Sequence, residues 1–439
     1  MCAGTSLCAR SRTAVQPGNM RHFWVLAFLA LTVSTVFAHA TGLPNEGSFQ
    51  GIRLASKFQQ GSTTGGIQEA IESFGAKPAC GTVIVALGVF NVSSTIDLSG
   101  RQGCRIIGMG SSAPSELDWT GPANGIMFLL DASYYNVISG LYLNGESTAG
   151  IAFNLQSSAG STCHNRIADC KIAGFSGSPG YAFQIGVTAV ANVSENEIDH
   201  VVVYRTPTLL YQDGAQSFTW VYGLYSGSGV AHGVNVRSGW LSMNDSEISA
   251  PGTAIRIGQT GSKVYVRDFD WESTGELLVV EDGGAQNVVD LDNVRALYRG
   301  SSPGTIIQFG VSTGTLGSLS LTNCKFSTLR SGAQAAISIN AKSAQSIKFD
   351  DSGTIYNTSP SATVLSFPGA GAITGVSSSF NSSLDVFWGK ITLGRSGPTI
   401  SYGSGAPSGP CVAGSIYMRT GGGHGPSDYF CEAGKWAAK

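Results

Sequence analysis

Glu247, Asp270 and Arg295 are the residues whose types and spacing could do chemistry. Asp245, Asp268 and Asn293 stand two positions before them in turn. If the chain coils so that these pairs come into register, Glu247, Asp270 and Arg295 form one column on three consecutive turns. Two carboxylates ~5 Å apart can divide acid and base roles on a glycosidic bond, since one raises the pKa of the other. Asp268 and Glu272 flank Asp270, the latter across Trp271, which reads as buried. The bland alternative is a solvated charge ladder, for Lys171 above Glu197 and Lys325 beyond Arg295 fit the same column. Trp220, Tyr222, Tyr225 and Trp240 lie one or two turns away. They could stack on sugar rings as substrate-binding residues, and equally suit core or turn packing. His232, in "VAHGVNV", is a further candidate as a proton donor near the same turns. A lone His at a turn is more often a hydrogen-bonded surface residue.

The register rests on a repeat. "IADCKI" (167–172) and "LTNCKF" (321–326) are near copies, and weaker ones fill the gap, "VSENEI", "MNDSEI", "VRDFDW" and "LDNVRA", with "FDDSGT" beyond it. "ISGLYL" and "VYGLYS" extend the series. The third position then runs Gly140, Asp169, Glu195, Gly223, Asp245, Asp268, Asn293, Asn323, Asp351, in steps of 29, 26, 28, 22, 23, 25, 30 and 28 residues. A second apolar burst follows most copies, as in "IAFN" (151–154), "FQIG" (183–186) and "IRIG" (255–258). An internal repeat of this length outranks the other signals.

The apolar runs are short, alternate, and are separated by Gly, Ser, Asn and Asp, which predicts strands and turns rather than helices. A coil of this length with two or three short strands is one rung of a parallel β-helix. Ile138, Ile167, Val193, Val221, Met243, Val266, Leu291, Leu321 and Phe349 are then expected to form an inward row. The polar column beside them becomes a turn ladder, since Asn and Asp tolerate left-handed backbone. Composition agrees: Gly is 59 of 439 residues and charged residues are 12%, against roughly 25% in ordinary domains. A net charge of −2 without a basic cluster argues against a nucleic-acid partner.

Arg21 and His22 precede an apolar run (23–37) and "AHA" (38–40), the pattern of a secretory signal peptide cleaved after Ala40. The run is shorter than the ~20 residues of a spanning helix. Met20 is the expected start, making 1–19 a non-native upstream extension and 20–40 the signal. Export admits disulfides. Cys411 and Cys431 bracket two strand-like runs and are the expected pair, with Cys80 and Cys104 a second. Cys170 and Cys324 sit six rungs, or ~29 Å, apart and cannot bond. No metal-ligand spacing of Cys and His occurs.

Residues 65–110 carry a short amphipathic helix with Ile67, Ala70, Ile71 and Phe74 on one face, then Gly-Thr-Val-Ile-Val, a Gly before an aromatic strand, and "IIGMG". This stretch resembles the opening of pectate-lyase-like, pectin-lyase-fold proteins, with Ala86-Leu87 where that family often has prolines. The resemblance implies an all-β, single-stranded right-handed parallel β-helix with an N-terminal capping helix. That superfamily includes lyases, hydrolases, epimerases, tail spikes and non-catalytic surface proteins, so it specifies fold rather than activity. Polygalacturonase-like members carry Asn-Thr-Asp and Arg-Ile-Lys motifs that are absent here. The Asp-Asp pair occurs at Asp350-Asp351, and Gly-His-Gly at 423–425 lies in the tail, outside the solenoid. Pectate-lyase-like members hold Ca²⁺ with clustered Asp, but no calcium motif or other cofactor signal is present.

The expected organisation is a β-helix domain over 41–395, with its cap at 65–110, and a small disulfide-linked β tail over 396–439. That tail looks similar to small modules ending phage tail-fibre and bacterial surface proteins. Two functions compete. One is a secreted lyase or glycoside hydrolase acting on polysaccharide, and the other a non-catalytic, tail-spike-like adhesin that binds glycans. A polysaccharide or cell-surface glycan is the expected partner in either case, extracellular or at the cell envelope. No membrane span is expected after signal cleavage.

Overall fold

A computed structural model describes residues 51–439 except 111–113, 188–191, 282–286, 301–304, 310–316, 329–336, 340–347, 358–362, 367–375, 378–389, 393–397, 404–405 and 420–427. The signal segment and the Gly-His-Gly lie outside the described residues. The chain winds as a parallel β-helix whose turns contribute strands to three faces. Arg105–Gly108, Val137–Ser139 and Arg166–Ala168 pair in parallel on the first face. Gly88–Val92, Ser115–Trp119, Leu141–Asn144 and Lys171–Ala173 do so on the second. Ile126–Asp131, Ile151–Gln156, Tyr181–Ile185 and Thr208–Gln212 make the third. Beyond Val193 the strands run through the corners, as in Val193–Tyr204, His232–Ile248 and Ile255–Ser273. Among the described residues no helix is long and apolar enough to cross a membrane.

Alternation sends every second side chain inward. The observed inward row is Ile106, Ile138, Ile167, Ile198, Val221, Met243, Val266, Leu291 and Leu321, all buried. Two expected members are corrected. Ile198 replaces Val193, which pairs with Ser217, and Asp351 replaces Phe349, which pairs with Leu319. The turn ladder shifts with them: His200 (φ 50°) and Gly353 (φ 72°) stand where Glu195 and Asp351 were expected. The rest of that ladder, Gly140, Asp169, Gly223, Asp245, Asp268, Asn293 and Asn323, has positive φ throughout. Short polar side chains and glycine tolerate that conformation best.

The displacement has a physical cause. The rung at 193–204 carries an irregularity between Ser194 and Asn196 that holds Glu195 at φ 57°. Glu195 thus belongs to a second left-handed row, with Tyr135 (φ 57°) and His164 (φ 58°). Directly after these come Asn136, Asn165 and Asn196, each 1% exposed. Asn136 Nδ2 donates to Asn165 Oδ1 at 2.9 Å, and Asn165 Nδ2 to Asn196 Oδ1 at 2.9 Å. The same oxygens accept backbone N–H groups of Asn136 and Asn165 at 3.1 Å. Buried amides are tolerated because nearly every polar atom finds a partner one rung away.

At the N-terminal end, α1 (Ile67–Glu72) buries Ile67, Ala70 and Ile71 against the core. Gly66, at φ 85°, starts it where a Cβ would meet Ala55 O at 2.1 Å. Phe74 lies past the helix end, half-buried, with Arg53 above its ring at 4.8 Å. At the other end Thr399–Gly403 pairs in parallel with Ile416–Arg419, which continues into an antiparallel meander with Asp428–Glu432 and Lys435–Ala438. Both expected disulfides, Cys80–Cys104 and Cys411–Cys431, are formed. Cys170 and Cys324 are buried free thiols, each pushed up to about 12 by burial.

Candidate functional site

The second face carries the expected chemical column. Glu247 pairs with Asp270, Asp270 with Arg295, and Arg295 with Lys325. Traced backwards the same outward position holds Tyr225, Val202, Lys171, Tyr142 and Glu116. One correction follows. Lys171 does not stand above Glu197, which faces Arg166 on the first face with an ion pair at 3.0 Å. Lys171 Nζ instead lies 4.7 Å from the Tyr142 ring centroid and 5.3 Å from that of Tyr204.

Within the expected cluster, Arg295 donates to both Asp270 oxygens, from Nε at 2.6 Å and from Nη2 at 2.5 Å. Asp268 Oδ1 accepts from Asn293 Nδ2 at 2.6 Å, and Glu272 pairs with Arg299. Glu247 and Arg295 are exposed and Asp270 is half-buried. Trp271 is buried, as read from the sequence. Asp351 of the Asp-Asp pair is also buried, and Tyr356 donates its hydroxyl to Asp351 Oδ2 at 2.5 Å. That carboxylate serves the core rather than a solvent-facing pair.

A second carboxylate pair on the same column escaped the repeat alignment. Glu116 and Asp118 lie two apart on Ser115–Trp119, both half-buried and facing outward. Burial pushes the Glu116 carboxyl up, and the Asp118 charge raises it further. Asn144 Nδ2 donates to Asp118 Oδ1 at 3.2 Å from the next rung. Burial and Glu116 raise the Tyr142 phenol, against the opposing influence of Arg205. Carboxylates, phenol, lysine and arginine thus converge on four consecutive rungs. The signal was legible: "SELDW" alternates like "DFDW" and, like it, ends on a buried tryptophan, Trp119 in one and Trp271 in the other.

The expected aromatics lie elsewhere. Trp220 and Tyr222 alternate outward on the first face, with Phe218 before them. Trp240 stands opposite Phe218, and Tyr265 is two rungs from Trp220 in the same column. Phe218 is 4.8 Å from Trp220 and 5.7 Å from Trp240 between ring centroids, and Lys263 Nζ sits 4.0 Å from the Trp240 centroid. Trp240 is 41% and Tyr222 39% exposed. The turn ladder separates this patch from Glu247 and Asp270, so the two sets occupy adjoining faces. Tyr225 alone joins the carboxylate column, its phenol raised by burial and by Asp245 and Glu247. His232 opens a strand of the third face opposite Thr208, so the structure does not bring it to Glu247. Beside the aromatic patch, burial pushes the Asp199 carboxyl up, but hydrogen bonds from Arg166 and His200 outweigh it and hold the group below the usual range. Among the described residues no three His, Cys, Asp or Glu side chains converge as a metal site requires.

No family model matches the sequence, and no curated relative does. Among solved structures the chain is similar to ORF18 of Geobacillus virus E2, at 13% identity and a TM-score of 0.41, covering 72% of this chain and 65% of that one. It is similar to the endo-xylogalacturonan hydrolase of Aspergillus tubingensis, at 11% identity and 0.45, covering 75% and 98%. It is also similar to PfbA, a surface adhesin of Streptococcus pneumoniae, at 10% identity and 0.38, covering 88% and 97%. The chain thus spans less than two thirds of the viral protein. No activity follows from likeness at these values.

Proposed function

We propose that this protein is an extracellular β-helix that binds polysaccharide along the aromatic patch of its first face. The observation that carries the reading is five outward rings, Phe218, Trp220, Tyr222, Trp240 and Tyr265, on three consecutive rungs of a parallel sheet. Large aromatics left at a surface mark binding sites, because their burial is withheld until a partner arrives. The apolar C–H faces of sugar rings pack on such rings, and rungs ~4.8 Å apart offer a continuous track. Lys263 and Arg267 on the same face add affinity for acidic chains. Two disulfides agree with an oxidising, extracellular or cell-envelope location. Retention on immobilised polysaccharides, compared between the native chain and Trp220→Ala/Trp240→Ala, tests the reading. Equal retention of both would refute it.

A second reading, cleavage of the bound chain, is favoured by the raised Glu116 carboxyl beside Asp118. Acid–base chemistry on a glycosidic bond uses two carboxyl groups in different environments, and a raised carboxyl beside a second one is such an arrangement. Glu247, Asp270, Asp268 and Arg295, on the same outward face, are the other candidate centre. Reducing-end release and unsaturated-product absorbance on a polysaccharide panel distinguish hydrolase, lyase and binder.

A further inference from the structure

The C-terminal module contains a cleft of about 560 Å³ that the first-face reading does not use. Tyr417 and Trp436 line it, their ring centroids 5.9 Å apart and their planes at 62°. Pro407 and Pro410 add rigid apolar wall, and Thr399, Ser401 and Ser408 supply hydroxyls. Among the described residues no Asp, Glu, Lys, Arg or His lines the cleft, so these walls offer a charged ligand no counter-charge. The wall is braced: Cys411 is bonded to Cys431, which stands opposite Trp436 in the sheet. Two partly exposed rings at an angle, with hydroxyls in the same lining, match a ligand that has apolar faces and hydroxylated edges.

We propose that this cleft is a second binding site, one that takes a short, uncharged saccharide. It stands apart from the aromatic patch in residues and in charge, since the patch carries Lys263 and Arg267. An uncharged chain end or branch can then be held in the tail while the solenoid face engages the chain's length. Two linked sites raise avidity through effective concentration.

Saturation-transfer NMR on the full chain with cellobiose, maltose and digalacturonate as probes tests the proposal, with a proline-rich peptide as a further arm. Transfer to at least one neutral disaccharide is expected, with none to digalacturonate by way of the cleft. Trp436→Ala should weaken that binding at least ~10-fold, whereas Trp220→Ala/Trp240→Ala leaves it unchanged. Ser408→Trp, at an exposed position, should fill the cleft and abolish binding without touching the module's core. Mass spectrometry confirming the Cys411–Cys431 bond guards against misfolding. No transfer to either neutral sugar, transfer that survives both cleft variants, or transfer to the peptide alone would overturn the proposal. Loss in the first-face variant alone would assign the sugar to that patch and overturn it equally.

Discussion

Arg295 grips Asp270 through two parallel hydrogen bonds, from Nη2 to Oδ2 at 2.5 Å and from Nε to Oδ1 at 2.6 Å. A bidentate guanidinium favours the ionised carboxylate and occupies both oxygens. The grip matters for chemistry, because a general acid must be protonated and free to reach substrate. Both Asp270 oxygens are taken by Arg295, whereas burial and the Asp118 charge push the Glu116 carboxyl up, the direction a general acid needs.

On any polysaccharide that the protein cleaves, Glu116→Gln should therefore lower turnover at least ~100-fold, the usual scale for losing a general acid. Glu247→Gln and Asp270→Asn, assayed beside it, test the other centre. A ~100-fold loss in those two with Glu116→Gln near native rates would move the chemistry to Glu247.

The same shift gives a stability prediction with a definite sign. A carboxyl whose folded pKa is raised binds its proton more tightly folded than unfolded, so stability falls as pH rises between the two values. Replacing Glu116 by Gln removes that titration. The variant should melt above the native chain at neutral pH, and the gap should close as pH falls below the unfolded carboxylate range, ~4.3. Thermal melts from pH 3 to 8 check this, and a pH-independent gap would count against it.

For binding, Trp240→Ala and Trp220→Ala should each weaken polysaccharide affinity ~10-fold or more, as loss of an aromatic anchor typically does. Tyr225→Phe, on the neighbouring face, should leave it unchanged. Affinity electrophoresis in polysaccharide-containing gels reads both.

The architecture was legible in the sequence because each rung repeats one turn residue and one apolar alternation. From Val221 to Leu321 the expected inward row matches the observed pairs without a slip. It failed at Val193 and Phe349. "VSENEI" offers two apolar positions, Val193 and Ile198, each two residues before a left-handed one, Glu195 or His200, and only the irregularity at Glu195 decides between them. The column Glu247–Asp270–Arg295 was legible for the same reason that the row was. Which face an aromatic occupies was not, since Trp220 and Tyr225 differ only in lying before or after Gly223. Glu116 escaped because the repeat was counted from Gly140, one rung too late.

The asparagine ladder was also missed, and it supplies the strictest test of the solenoid's energetics. Asn165 stands in its middle: its Oδ1 accepts from Asn136 N and Nδ2, and its Nδ2 reaches Asn196 Oδ1 and Ser133 O at 3.1 Å. Asn165→Ala leaves the backbone N–H and one Nδ2 proton of Asn136 without an acceptor in a place with no solvent, while the Ser133 carbonyl keeps the Cys163 N–H. Each unsatisfied buried group costs about 1–3 kcal/mol, so a loss of about 2 kcal/mol or more is expected in chemical denaturation. Asn165→Asp separates charge from shape. The aspartate keeps both acceptors but buries a charge beside Asn196 Oδ1, so its folded pKa should rise. A protonated aspartic acid instead donates where the amide did. Asn165→Asp should thus be destabilised most at neutral pH and recover as pH falls toward the unfolded value, ~3.9. Denaturation curves for both variants at pH 4 and pH 7 distinguish the cases. Equal losses at the two pH values for Asn165→Asp would mean that the ladder tolerates the charge and that its hydrogen bonds do not set stability.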